Sequence, residues 1–179
     1  MLPTILIAIG AIVVILLIVV GMQPTDFQIQ RSARIAAPAA IVFDQVNDLR
    51  KWEAWSPWDK IDPQLKRTYE GSPSGKGAIY RWVGNNKVGQ GGMTIEESRP
   101  AELVKIKLEF VKPFTCTNAV NFTFKPQGDE TEVTWTMTGK NNFMAKAMHL
   151  VMNMDKMVGG QFAQGLAQMK SVAEAAAKA

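Results

Sequence analysis

The first charged side chain in this sequence is Asp26, and the stretch before it, Leu2 to Met22, consists almost wholly of Ile, Leu, Val, Ala and Gly. A helix rising ~1.5 Å per residue over that stretch is about as long as the ~30 Å hydrocarbon core of a bilayer. From Asp26 onward the composition is that of a water-facing globular domain. The expected organisation is therefore a transmembrane anchor over residues 1–22, a short linker over 23–26 and one domain over 27–179. A cleaved signal peptide is the competing reading. Such peptides place basic residues before an apolar run of roughly 7–15 residues. Here no Lys or Arg precedes the run, and Val19 and Gly21 offer only a poor cleavage site. The expectation is a single-pass N-terminal anchor. Arg31, Arg34, Arg50 and Lys51 follow it, so the positive-inside rule points to a cytoplasm-facing domain. The lone Cys116 has no internal disulfide partner and fits a reducing compartment.

Without the anchor about 150 residues remain, enough for one well-cored domain and too few for two. The formal charge of +4 is modest, and Lys and Arg are interspersed with Asp and Glu. Nucleic-acid binding calls for a clustered basic face, so no nucleic-acid partner is expected. The expected partners are the membrane, through the N-terminal helix, and a small hydrophobic molecule, for reasons given below.

Alternation of Phe27, Ile29, Arg31, Ala33 and Ile35 predicts a first strand. Ala37-Pro38-Ala39 opens a short helix with Ile41, Val42, Phe43 and Val46 on its apolar side, and Leu49 to Trp55 predicts a second helical turn. The runs Ala78–Val83 and Val88–Glu97 bracket Gly84-Asn85-Asn86, a hairpin signal. Three clearer strands follow. Val104, Ile106, Leu108 and Phe110 alternate with polar residues, as do Cys116, Val120, Phe122 and Phe124, and then Val133, Trp135 and Met137. Period two with one wet face is the mark of an antiparallel sheet. From Phe143 to Lys178 the period becomes helical, with a break expected at Gly159-Gly160. One strand, two short helices, about six antiparallel strands and a long C-terminal helix make an α+β helix-grip fold. In it a curved antiparallel sheet wraps around the last helix.

The sequence resembles the START-related SRPBCC superfamily, and within it the polyketide cyclase/dehydrase-like group. The likeness runs from Arg34-Ile35-Ala36-Ala37-Pro38 into Val42-Phe43, then through Asn47-Asp48-Leu49, Trp52 and Trp55-Ser56-Pro57-Trp58. It continues in Gly75-Lys76-Gly77-Ala78, Tyr80, Trp82, Met93-Thr94-Ile95, Thr131-Glu132-Val133-Thr134-Trp135 and Phe162 to Leu166. The resemblance implies a deep apolar cavity under the C-terminal helix. It does not select a reaction, because the family ranges from lipid and hormone carriers to cyclases and co-chaperones.

The cavity candidates are Trp52, Trp55, Trp58, Tyr80, Trp82, Asn118, Phe122, Trp135, Met144, Met148 and Met152. Trp52, Trp55 and Trp58 recur every three residues. They either grip a ring or acyl chain at the cavity mouth or plug one end of the sheet. Met144, Met148 and Met152 stand at i, i+4 and i+8, where pliable thioethers would roof a cavity or simply form a core face. Burying ~10 methylenes of a ligand there would release about 8 kcal/mol before ordering costs. Tyr80 and Arg81 alternate, so only one faces inward; an inward Arg81 would suit an anionic head. Asn118 shares a face with Cys116 and Val120 and could orient a carbonyl or hydroxyl. His149, the only histidine, lacks a partner at helical spacing and is expected to be exposed, with Cys116 expected to be a small buried residue. There is no metal-ligand spacing, phosphate-binding glycine loop or nucleophile elbow, so no cofactor or metal is expected. Three functions remain: a membrane-tethered binding domain for a hydrophobic molecule or lipid, a cyclase/dehydrase-like enzyme working in the same cavity, and a protein-interaction or co-chaperone domain.

Overall fold

In a computed structural model, which describes residues 2–178, the apolar N-terminal stretch is one helix, α1 (Leu2–Met22). Met1 and Ala179, included in the expected limits, lie outside the described residues. β1 (Asp26–Ile35) leads into α2 (Ala39–Asn47), α3 (Trp52–Trp55) and a 3-10 turn at Pro57–Lys60. A meander follows: β2 (Lys66–Gly71), β3 (Ala78–Val83), β4 (Gln90–Arg99), β5 (Leu103–Lys112), β6 (Cys116–Gln127) and β7 (Glu130–Lys140). The chain ends in α4 (Phe143–Val151) and α5 (Met154–Ala176). All seven strands form one antiparallel sheet ordered β1-β7-β6-β5-β4-β3-β2, with β1 returning to pair along β7 from Asp26↔Lys140 to Ile35↔Thr131. This is the α+β helix-grip arrangement.

The alternation read from the sequence becomes the two faces of the sheet. Ile29, Ile35, Val104, Ile106, Val120, Phe122, Phe124, Val133, Trp135 and Met137 are buried on its inner face. The inner side of α5 carries Phe162, Gly165, Leu166, Met169 and Ala173, all buried at helical spacing. Gly165 permits a close approach, since a Cβ there would stand 3.0 Å from the Trp135 ring and 3.2 Å from Pro57. Polar ties to β1 hold both ends of α5. Arg31 Nη1 and Nη2 donate to the Asp155 carboxylate at 3.1 and 2.9 Å near its start. At its end the Ala36 N–H donates to Glu174 at 2.8 Å, and Lys170 donates to the Arg34 carbonyl at 2.9 Å.

Three expectations need correcting. The C-terminal segment does not break at Gly159-Gly160; α5 runs through both, and the break falls at Met152-Asn153, where the backbone is extended. Asn153 accepts the Lys156 N–H at 2.8 Å and so starts a new helix as its N-cap. Gly159 serves packing instead, because the Arg31 guanidinium passes where its Cβ would stand. As a result Met144, Met148 and Met152 do not form one stripe on a single long helix over the sheet. They sit on or just after α4, a separate helix packed beside α1, with Met144 and Met152 exposed. Cys116, at the open end of β6, is exposed rather than buried.

Trp55 is fully buried, and its indole N–H donates to the Gln45 carbonyl at 3.0 Å. Trp55→Ala is expected to cost about 3–5 kcal/mol, read by chemical denaturation of the full chain in detergent. The Arg31 guanidinium, through its hydrogen bonds, holds the Asp155 carboxyl below the usual carboxylate range. The tie between β1 and α5 therefore contributes above the unfolded-state value of ~3.9 and is lost as pH falls through the lower folded-state value. Melting curves of Asp155→Asn and the unchanged chain should differ at neutral pH and converge at the acid end.

Candidate functional site

Two sets of side chains occupy the concave face of the sheet. The first lies under α5. Trp52 and Trp55 are anchored by their indole N–H groups, which donate to the Val46 and Gln45 carbonyls at 3.0 Å each. Their rings meet at 4.6 Å between centroids and turn edges toward Phe122 and Trp135. Trp135 stacks on Phe162 of α5 at 4.0 Å and lies 4.8 Å from Phe122. Trp58, half-buried on the 3-10 turn, reaches both Trp135 and Phe162. These rings pack against one another as core, in the filling role. Trp135 is 2% exposed, yet its Nε1 has no hydrogen-bond partner among the described residues. Leaving a buried donor unpaired costs about 1–3 kcal/mol.

The second set lies toward the end of the sheet at which β1 emerges from α1. Strand register aligns two rows there. One runs Tyr69, Tyr80, Met93, Leu108, Asn118, Gly139 and Phe27; the next runs Arg67, Trp82, Gly91, Phe110 and Cys116. Tyr69, Tyr80, Trp82 and Phe110 form a ladder with successive centroid distances of 5.3, 5.8 and 5.7 Å. Two glycines make room for the larger groups. The Trp82 indole lies over Gly91, and the Asn118 amide lies over Gly139, where any Cβ would meet it. Leu108 and Phe110 are only half-buried, whereas Tyr80, Trp82 and Asn118 are buried. The packing partners of α5 are chiefly β1, α2, α3 and the 3-10 turn, so this row of β3–β5 side chains lies beside its main contact area.

The choice between Tyr80 and Arg81 is resolved in favour of Tyr80. Arg81 points outward to Glu70 at 3.3 Å. Burial, reinforced by the nearby Asp59 carboxylate, pushes the Tyr80 phenol well above its ordinary value. The phenol is neutral at neutral pH, as an unperturbed tyrosine also is. The guanidinium facing this region belongs to Arg67, which bridges Asp59 at 2.6 Å with side chains 21% and 10% exposed. No simple sequence pattern marked Arg67. Arg31 did carry a signal, a charge on the apolar side of the first strand's alternation, and its carboxylate partner is Asp155.

His149 is half-buried on α4, in an edge-on contact with Phe27 at 6.3 Å between ring centroids. The elbow between α4 and α5 brings it onto one cleft with Asp155, about 500 Å³ in volume and also lined by Phe27, Ile29 and Met152. Helical spacing concealed that meeting, because it assumed one continuous helix. The Asp155 carboxylate accepts from both Nη atoms of Arg31. Among the described residues, no group of three or more His, Cys, Asp or Glu is placed to hold a metal ion. The chemistry on the concave face is that of an apolar, aromatic surface with a few neutral polar groups, Asn118 and the Tyr80 phenol foremost. Mostly apolar lining with a few placed polar groups is the usual make-up of a small-molecule site.

Comparison with known proteins finds the same fold. The protein CV1439 from Chromobacterium violaceum is 14% identical with a TM-score of 0.58, over 84% of this chain and 99% of its own. MLL2253 from Mesorhizobium loti is 11% identical with a TM-score of 0.60, over 81% and 95%. The Aha1 dimer structure from Colwellia psychrerythraea is 12% identical with a TM-score of 0.58, over 83% and 96%. At such identities the likeness is one of fold. No curated protein matches the chain. A family model described as polyketide cyclase / dehydrase and lipid transport matches residues 26–174, from the first residue of β1 almost to the end of α5. The chain belongs to the polyketide cyclase/dehydrase and lipid transport family.

Proposed function

We propose that this protein is a membrane-tethered binding domain that holds a hydrophobic small molecule or lipid against the concave face of its sheet. The observation that carries the reading is the ladder Tyr69–Tyr80–Trp82–Phe110 with half-buried Leu108 beside it. Aromatic rings give a ligand a large apolar contact at low entropic cost, and offset or edge contacts add to it. Asn118 and the protonated Tyr80 phenol would orient one carbonyl or hydroxyl. The family's lipid-transport members support the same class of ligand.

Tethering is supported by α1. It is long and apolar enough to cross a membrane, and from Ile5 to Val19 its large side chains are exposed. Its last turn is fastened to the domain. Val20 is buried, the Asn141 amide donates to the Pro24 carbonyl at 3.3 Å, and the Asn141 N–H donates to Thr25. Such a helix would set the domain directly on the membrane surface rather than on a long leash.

The binding reading is tested by native mass spectrometry of the segment from Asp26 onward, purified without detergent. A hydrophobic adduct of defined mass is expected, and Leu108→Trp, which fills the half-buried position, is expected to abolish it while circular dichroism stays unchanged. A protein that carries no adduct and rejects a panel of acyl and aromatic probes overturns the reading. The tether is tested separately by alkaline carbonate extraction. The full chain should remain with the membrane pellet, and a chain lacking residues 2–22 should appear in the supernatant.

A further inference from the structure

We propose that the outward face of α4, together with the turn between β5 and β6, docks on the surface of the bilayer that α1 enters. The mouth of the concave face would then open against lipid. This rests on the reading of α1 as a membrane span and adds a specific contact surface to it.

The first observation is an amphipathic helix turned the wrong way for a soluble domain. A helix on a water-soluble protein puts its apolar stripe inward. On α4, Phe143, Met144, Leu150 and Val151 are 53%, 57%, 41% and 83% exposed, and the helix has no buried residue. At 3.6 residues per turn these four side chains and Ala147 share one arc of roughly 120°. Lys146 and His149 fall outside that arc, and the His149 ring is turned toward Phe27 of β1. Contiguous exposed apolar surface of this kind marks an interaction site.

The second observation says what covers it. α4 packs against α1, and Lys146 Nζ donates to the Gly21 carbonyl in the last turn of α1 at 3.5 Å. The end of a spanning helix lies where hydrocarbon gives way to headgroups, so α4 is held at the depth of the membrane interface. An interfacial helix buries its apolar face ~5–10 Å into that boundary while its cations stay among the headgroups. The third observation is independent of α4. The register Asp26↔Lys140, Asn118↔Gly139 and Phe110↔Cys116 puts the β5–β6 turn at the same end of the sheet as the exit of α1. That turn carries Phe114 and follows Val111, 59% and 52% exposed. Lys112 and Lys140 are exposed at the same end and suit an anionic leaflet. The opposite end, at the Gln127–Glu130 turn, is polar and exposed. Trp82, Phe110 and Asn118 thus lie at the lipid-facing end, and a hydrophobic ligand would pass between bilayer and sheet without crossing water.

The test uses the full chain with Cys116→Ser, reconstituted in vesicles of phosphatidylcholine and phosphatidylglycerol containing spin-labelled lipids. An environment-sensitive fluorophore is attached in turn at Met144→Cys, Val151→Cys, Phe114→Cys, Ile12→Cys and Asp129→Cys. The expected result is strong quenching by deep spin labels at position 12, strong quenching by shallow labels at 144, 151 and 114, and none at 129. If position 12 is quenched and the three docking positions behave like 129, the span stands and the docking is overturned. Blue-shifted but unquenched fluorescence at 144 and 151 assigns the face to a protein or a second copy and also overturns it. Absence of quenching at position 12 removes the span reading and the docking with it.

Discussion

The stacking of Trp135 on Phe162 is the contact on which the rest of the structure depends. A curved sheet with one apolar face has to cover that face, and a single helix is narrow for the task. Two rings stacked at 4.0 Å, one from β7 and one from α5, fix where the helix lies. Trp52, Trp55 and Phe122 fill the space around that stack, and Gly165 lets the helix backbone come close enough to use it. The polar ties at either end of α5 set its direction. Neither tie is deeply buried, so the rings carry the packing energy and the ion pair supplies orientation.

That packing also determines where binding chemistry can lie. Rings fill the space beside the Trp135–Phe162 stack, and half-buried apolar groups gather along the aromatic ladder from β2 to β5, at Tyr69, Leu108 and Phe110. The polar groups there are few and neutral, apart from an Arg67 guanidinium already paired with Asp59. Such a surface gains affinity from apolar area and gains orientation from one or two hydrogen bonds. The one histidine shares a cleft with a carboxylate that another residue has claimed.

Much of the fold was legible in the sequence because strand periodicity is a local property. The alternations at Phe27–Ile35, Val104–Phe110 and Val133–Met137 each became a strand with the expected face inward. The site was less legible. Trp82, Tyr80 and Asn118 were marked by type and face, but Phe110 and Leu108 read as ordinary strand residues until register set them beside Trp82 and Asn118. The methionine stripe misled because its spacing was correct while its helix was not. Asn153 could have corrected this, since an Asn followed by Met-Asp-Lys is an N-cap pattern. Two adjacent glycines drew the break instead, although Gly159 is small to admit Arg31 rather than to end a helix.

The sequence by itself determined the apolar helix, the number and faces of the main strands, and the closing helical segment. Each of these follows from hydrophobic periodicity over a few turns or a few residue pairs, which neighbouring side chains settle among themselves. Only the tertiary structure decided which aromatic rings became core and which formed the ladder, that Arg31 meets Asp155, and that α4 lies against α1 with its apolar face outward. The last two depend on residues more than a hundred positions apart, and the first on strands and helices brought together by register and packing. No local pattern encodes such a meeting, because its free energy exists only once the strands are in register and the helix lies across them.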